Sequence, residues 1–133
     1  MLYGIGCDLC SLSHLEKSLS SAHAAAFVRR VYGPAEQAAL GILEASPAPL
    51  NAHRLASAAA DFAAKEAFLK AAGVGLGGFS LGDIQVLRQE SGAPFYHLSG
   101  TAAAFAQKLT LHLTLSHEGE YALAFALFEA AGH

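Results

Sequence analysis

The chain has 133 residues, 53% of them hydrophobic and 14% charged, and a net charge of −3 with histidine neutral. That length suits one ordinary domain spanning residues 1–133, the negative balance argues against a nucleic-acid binder, and no apolar run approaches the roughly 20 residues of a membrane span. So little charge leaves a monomer short of polar surface, which predicts an oligomer.

The opening MLYGIGCDLC lacks the basic start and apolar run of a secretory leader. A cytoplasmic protein with reduced cysteines is therefore expected. LYGIGCD alternates as a strand does, with Tyr3, Ile5 and Cys7 on one face and Gly4, Gly6 and Asp8 on the other. The two glycines are expected to leave room for a ligand beside the Asp8 carboxylate. The plainer alternative is a turn or capping aspartate. SLSHLEKSL reads as a short helix opened by a capping box of Ser13 and Glu16. AHAAAFVRRVY gives a second helix, closed at Gly33-Pro34, and PAEQAALGILEA a third with proline in its first turn.

SPAP breaks that helix, and Asn51 caps a long one running to about Ala72, with Gly73 positioned to end it. On its wheel Leu55, Ala59, Phe62, Glu66 and Leu69 share a face, so the Glu66 carboxylate interrupts an apolar stripe. An unpaired buried carboxylate costs several kcal/mol. A bound metal or polyanion explains Glu66 better than its i,i+4 pairing with Lys70 does. Asp61 and Lys65, also an i,i+4 pair, suit a solvated surface salt bridge.

After GVGLGG the pattern turns to strands. DIQVLRQ and PFYHL flank a hairpin loop, ESGA, and GTAAAFAQK is a short helix. LTLHLTLS then alternates leucines with polar residues. YALAFALF carries Tyr121, Leu123, Phe125 and Leu127 on one face, with Ala122, Ala124 and Ala126 on the other, small enough for another layer to approach closely. These elements define an α+β domain, helices packed on a largely antiparallel sheet. Ser116 and His117 end a strand at a hairpin; adjacent residues point to opposite sides, which disfavours a Ser–His hydrolase. The CDLC pair lies in a strand and lacks partners for a zinc site, so buried reduced cysteine is the better reading.

Taken jointly, GIGCDL at 4–9, FAAKEAFLKAAG at 62–73 and LSHEGEYALA at 115–124 resemble the holo-acyl-carrier-protein synthases, the small 4′-phosphopantetheinyl transferases. SGAPFYHLSG extends the resemblance over nearly the whole chain. It implies transfer of the phosphopantetheine arm of coenzyme A to a serine of apo acyl carrier protein, releasing adenosine 3′,5′-bisphosphate, in fatty acid biosynthesis. It also implies a magnesium ion held against the pyrophosphate by Asp8 and Glu66. Lys65 and Lys70 match the family's helix lysines, with Lys70 the better phosphate clamp by its wheel position. Gly73 lets backbone approach the cofactor, and Ser116 and His117 join the coenzyme A site. Asp8, a metal-bound water or His117 is the acceptor for the serine proton, and the sequence does not choose among them. A homotrimer with active sites shared between subunits is implied as well, and the alanine face of the last strand agrees with it.

The chain departs from this pattern in its basic residues. His14 stands where the family usually has arginine on the carrier-docking helix. His23 and Ala26 replace further basic positions, leaving Arg29 and Arg30 for docking with apolar contacts such as Leu12, Leu15 and Phe27. Asp61 occupies the place of an arginine, and Ala93 that of a lysine before the hairpin proline. These changes bear on carrier affinity and on contacts to the outer coenzyme A phosphate. The rival reading is a non-catalytic coenzyme A or carrier binder, which would need no paired carboxylates.

Overall fold

The long helix predicted after SPAP organises the chain. The computed structural model describes residues 1–75 and 77–131. The elements run β1 (Leu2–Ser11), α1 (Leu12–Ser20), α2 (Ala24–Val31), α3 (Pro34–Leu40), α4 (Ala52–Ala72), a 3-10 turn (Leu81–Asp83), β2 (Ile84–Arg88), β3 (Pro94–Leu98), α5 (Gly100–Ala106), β4 (Leu109–Glu118) and β5 (Tyr121–Ala130). All pairings are antiparallel: a three-stranded sheet in the order β1-β5-β4 and a separate β2-β3 hairpin.

α4 begins as expected, with the Asn51 side chain accepting from the Arg54 amide, and ends at Gly73 in the left-handed conformation (φ 78°). Its alanines let it lie close on the sheet. Ala59, Ala63, Ala64 and Ala67 are fully buried, as are Ala122, Ala124 and Ala126 on β5. β1 goes further. A Cβ on Gly4 would stand 2.0 Å from the Ala71 carbonyl oxygen, and one on Gly6 2.0 Å from that of Ala67. The glycines therefore clear space for α4, not for a ligand as the alternation predicts. Phe68 anchors the other side of the helix, edge-on to Phe128 at 5.0 Å and Tyr96 at 5.1 Å.

The alanine face is likewise taken by the chain's own helix, so it is not an assembly surface. What the sheet exposes is the large-residue face, with Ile5 at 54% and Leu9 at 57% on β1, and Tyr121 at 50% and Phe125 at 38% on β5. α1 starts on Ser11, not Ser13; Glu120, from the β4–β5 turn, accepts from the Ser13 amide at 2.8 Å. α3 is shorter than its apolar pattern, because Gly41 turns left-handed (φ 70°) directly after Leu40.

The reading of Asp61 and Lys65 as a surface pair is overturned, since both are fully buried. The Lys65 ammonium donates to Glu36 Oε1 at 2.6 Å and to the carbonyls of Ile84 (2.6 Å) and Leu81 (3.0 Å). Glu36 also accepts from the Gly33 amide (3.3 Å) and the Val86 amide (3.0 Å). One ion pair thus ties α3, α4 and β2 together. Removing one partner strands the other charge, so Glu36→Ala should cost about 3–5 kcal/mol. Glu44→Ala, which breaks the exposed pair with Arg29, should cost less than about 1 kcal/mol. Urea denaturation of the two variants measures both.

Candidate active site

The glycine seam continues into chemistry. Two strand residues advance about 6.6 Å and one helical turn about 5.4 Å, so β1 and α4 stay nearly in step as they run antiparallel. Gly4 meets Ala71 and Gly6 meets Ala67. Asp8, the next residue on that face, therefore emerges beside the turn of α4 that carries Glu66. Lys70 reaches across, donating to Asp8 Oδ1 at 3.0 Å and to the Cys7 carbonyl at 2.9 Å. Among the described residues this is the partner Lys70 takes, rather than Glu66 one turn back.

Glu66 is partly exposed and opens into a pocket of about 500 Å³ lined by Arg30, Phe62, Leu69, Phe79 and Leu81. The apolar stripe thus faces a cavity at this point, not solid core. Burial raises the Glu66 pKa, the Asp8 carboxylate raises it further, and Lys70 opposes both. The Lys70 ammonium is held above its ordinary value, first by its hydrogen bond to Asp8 and then by that carboxylate's charge.

Other sequence-predicted residues lie elsewhere. Lys65 faces inward, its ammonium spent on Glu36 and two carbonyls, so it cannot clamp a bound phosphate. Gly73 is exposed, and its positive φ accounts for the glycine. Ser116 and His117 are not brought to Asp8 within one chain. Register places Asp8 opposite Ala124 and Ala124 opposite Leu115, two strand spacings or about 10 Å across the sheet. They line a separate cleft with His53 and Arg88.

On the α1–α2 face His14, Arg29 and Arg30 are exposed, and Phe27 stacks on Phe62 at 6.1 Å. Arg29 is engaged by Glu44 at 2.9 Å, whereas Arg30 borders the Glu66 pocket. Leu15 is 3% exposed and cannot meet a carrier as expected. The cysteines alternate as strand residues do: Cys7 pairs with Phe125 on the outer face and Cys10 with Ala122 on the inner. Their sulfurs diverge, and burial, with the nearby Asp8 and Glu66 charges, pushes the Cys10 thiol up to about 11. A redox or zinc C-x-x-C is excluded by that geometry.

Asp61, where the resemblance implies arginine, is buried and accepts from Arg88 at 2.7 Å. The contribution of Arg88, His53 and Arg54 to the second cleft escaped the sequence reading. No motif marks a basic residue at a strand end or in a helix's first turns.

Residues 4–126 match the model of the 4′-phosphopantetheinyl transferase superfamily, and the chain belongs to that family. Among curated relatives, the holo-[acyl-carrier-protein] synthase of Zymomonas mobilis is 36% identical, covering 98% of each chain. The holo-(acyl-carrier-protein) synthase of Bacillus anthracis in complex with CoA (3′,5′-ADP) superposes with a TM-score of 0.79 at 30% identity, over 98% of this chain and 99% of that one. Plasmodium yoelii holo-ACP-synthase gives 0.80 at 26% identity, over 99% and 98%.

The raised Glu66 pKa has a consequence for stability. Its native carboxyl holds a proton more tightly than the unfolded one, so its contribution to stability falls as pH rises from the ordinary carboxylate range through the higher native value. Glu66→Gln should therefore raise the Tm of the unliganded protein at neutral pH. The gain should vanish below the ordinary carboxylate range, which thermal melts at stepped pH will measure.

Proposed function

We propose that the chain is a holo-acyl-carrier-protein synthase, transferring the 4′-phosphopantetheine arm of coenzyme A to a serine of apo acyl carrier protein and releasing adenosine 3′,5′-bisphosphate. The observation that carries this reading is the convergence of Asp8, Glu66 and Lys70 at the edge of an open pocket. Full-length similarity to proteins named for that activity supports it. The serine oxygen bonds to the β-phosphorus of coenzyme A as the bond to the bridging oxygen breaks. The serine proton passes to a base, and charge gathers on the departing bisphosphate.

The residues present fit magnesium. Glu66 feels the Asp8 carboxylate beside it, and both are oxygen donors of the kind a hard cation takes. Two carboxylates with substrate phosphate and water completing the shell is the arrangement magnesium favours. The ion would supply Lewis-acid stabilisation of phosphate charge. Asp8 and Glu66 hold the site, and Lys70, exposed on its long stem, exchanges Asp8 for a phosphate oxygen. Carrier docking falls to His14, Phe27, Arg29 and Arg30, with Arg30 bordering the pocket that Glu66 opens into.

We also assign a cytoplasmic homotrimer with active sites shared between subunits. The exposed outer face of β1 and β5 is an apolar surface of the kind assembly covers. Sharing would let Ser116 and His117 of one subunit serve the Asp8–Glu66 seam of another, which they do not approach in their own chain.

Asp8→Ala and Glu66→Ala should each lower transfer by at least about 10²-fold and Lys70→Ala by about 10²-fold, with folding retained. The mass gain of apo carrier protein incubated with coenzyme A and magnesium measures this. Near-normal turnover of either carboxylate variant at limiting magnesium would reject the assignment. For assembly, Phe125→Arg should give folded monomers by sedimentation. Ala124→Arg, which buries a charge against α4, should instead unfold the chain. A wild-type protein that sediments as an active monomer would overturn the trimer.

A further inference from the structure

The proposed reaction leaves one buried acid unused. Asp61 is fully buried on α4, and its Oδ1 accepts from the Arg88 guanidinium at 2.7 Å. Its Oδ2 is buried with no hydrogen-bond partner among the described residues. An ionised carboxylate can only accept, so a dry, unpaired oxygen is a costly thing to leave in a core.

The groups around that oxygen have no hydrogen left to give it. Its charged and titratable neighbours are Arg88 from β2, Glu36 from α3, Lys65 one turn further along α4 and Tyr32 just after α2. Arg88 directs its Nη1 to Oδ1. The three N–H groups of Lys65 are spent on Glu36 and on the carbonyls of Leu81 and Ile84. The Tyr32 hydroxyl donates to the Ala58 carbonyl at 2.8 Å. Glu36 lies within hydrogen-bond reach of the Asp61 side chain, but it too is an acceptor. A carboxylate offers roughly four acceptor sites. Glu36 takes Lys65 and the Gly33 amide on Oε1 and the Val86 amide on Oε2, which leaves Oε2 open to a further donor. Two carboxyl groups in contact away from water do not both ionise. Burial pushes the Asp61 carboxyl well above the ordinary carboxylate range; the Arg88 charge opposes that rise and the Glu36 carboxylate adds to it.

We propose that Asp61 is a neutral carboxylic acid in the folded protein at neutral pH, and that its proton, carried on Oδ2 and donated to Glu36, joins α4 to α3. The proton gives the orphaned oxygen a partner and fills the open site on Glu36. Its loss sets two carboxylates against each other at the point where α3 and β2 close on α4. Native Asp61 keeps its proton to higher pH than the unfolded chain does. Its contribution to stability is therefore complete below the ordinary carboxylate range and is lost as pH rises through the native value.

Urea denaturation at stepped pH tests this, with Glu66→Gln as the parent so that the raised Glu66 carboxyl does not contribute. Asn reproduces the neutral acid, because its carbonyl accepts from Arg88 and its amide donates to Glu36. Between about pH 5.5 and about pH 7.5 the unfolding constant of the parent should rise about 10²-fold more than that of the same protein carrying Asp61→Asn. Equal pH dependence in the two proteins would overturn the proposal and return Asp61 to an ordinary ion pair with Arg88. Carbon-13 NMR of protein labelled at the aspartate side-chain carboxyls reads the proton directly and needs no change at Asp61. The chain has three aspartates, Asp8, Asp61 and Asp83. One signal should hold the protonated position at neutral pH and persist in both Asp8→Asn and Asp83→Asn. Three ionised signals, or a protonated signal that vanishes in either variant, would show that Asp61 does not carry the proton.

Discussion

The fully buried ion pair between Lys65 and Glu36 is the constraint on which the rest of the structure depends. A buried ammonium must have its donors met, and here Glu36 and the carbonyls of Leu81 and Ile84 meet them. Glu36 in turn accepts amides from Gly33 and Val86, and its own amide donates to Gln85. The pair therefore closes α3 and the β2 hairpin onto one point of α4. The rotation of α4 is set by that closure. With Lys65 turned inward, its neighbour Glu66 turns toward the open pocket, and Asp61, one turn earlier, turns toward Arg88.

A second constraint fixes how deep that helix sits. Small residues on both sides, glycine on β1 and alanine on β5 and α4, bring backbone against backbone. Larger side chains would hold the layers about 10 Å apart and carry Asp8 away from Glu66. Close packing and the carboxylate pair are thus one feature. The seam makes room for the helix, and the helix delivers its acid to the strand's aspartate.

These constraints also sort the charges. The Asp8–Glu66 seam concentrates negative charge that Lys70 offsets directly, whereas the cleft around Arg88 is lined by arginine and histidine. The two lie on different parts of α4, separated across the sheet. Coenzyme A carries both a diphosphate and an outer phosphomonoester, so the proposed substrate needs two kinds of recognition.

Much was legible in the sequence because its causes are local. Period-two alternation marked β1, β4 and β5; Asn51 and Gly73 bounded α4; and the apolar stripe singled out Glu66 as a carboxylate needing a reason. The conjunction of GIGCDL, AAKEAFLKA and LSHEGEY pointed to the phosphopantetheinyl transferases, which the family match bears out. Other features had no local cause. Asp61 and Lys65 satisfied the i,i+4 rule, yet each found a better partner on another element, and no wheel can show where those elements pack. The alanine face of β5 read correctly as a place of close approach, whereas the bare face of β1 read as room for a ligand; which layer approaches depends on chain topology, and at both faces it is α4. Helical and strand periods depend on neighbouring residues, so the sequence alone determined the elements and the family. Burial and ion pairing depend on groups distant in the chain, so only the tertiary structure decided which charges are buried, which apolar face stays exposed and that Arg88 and His117 share a cleft.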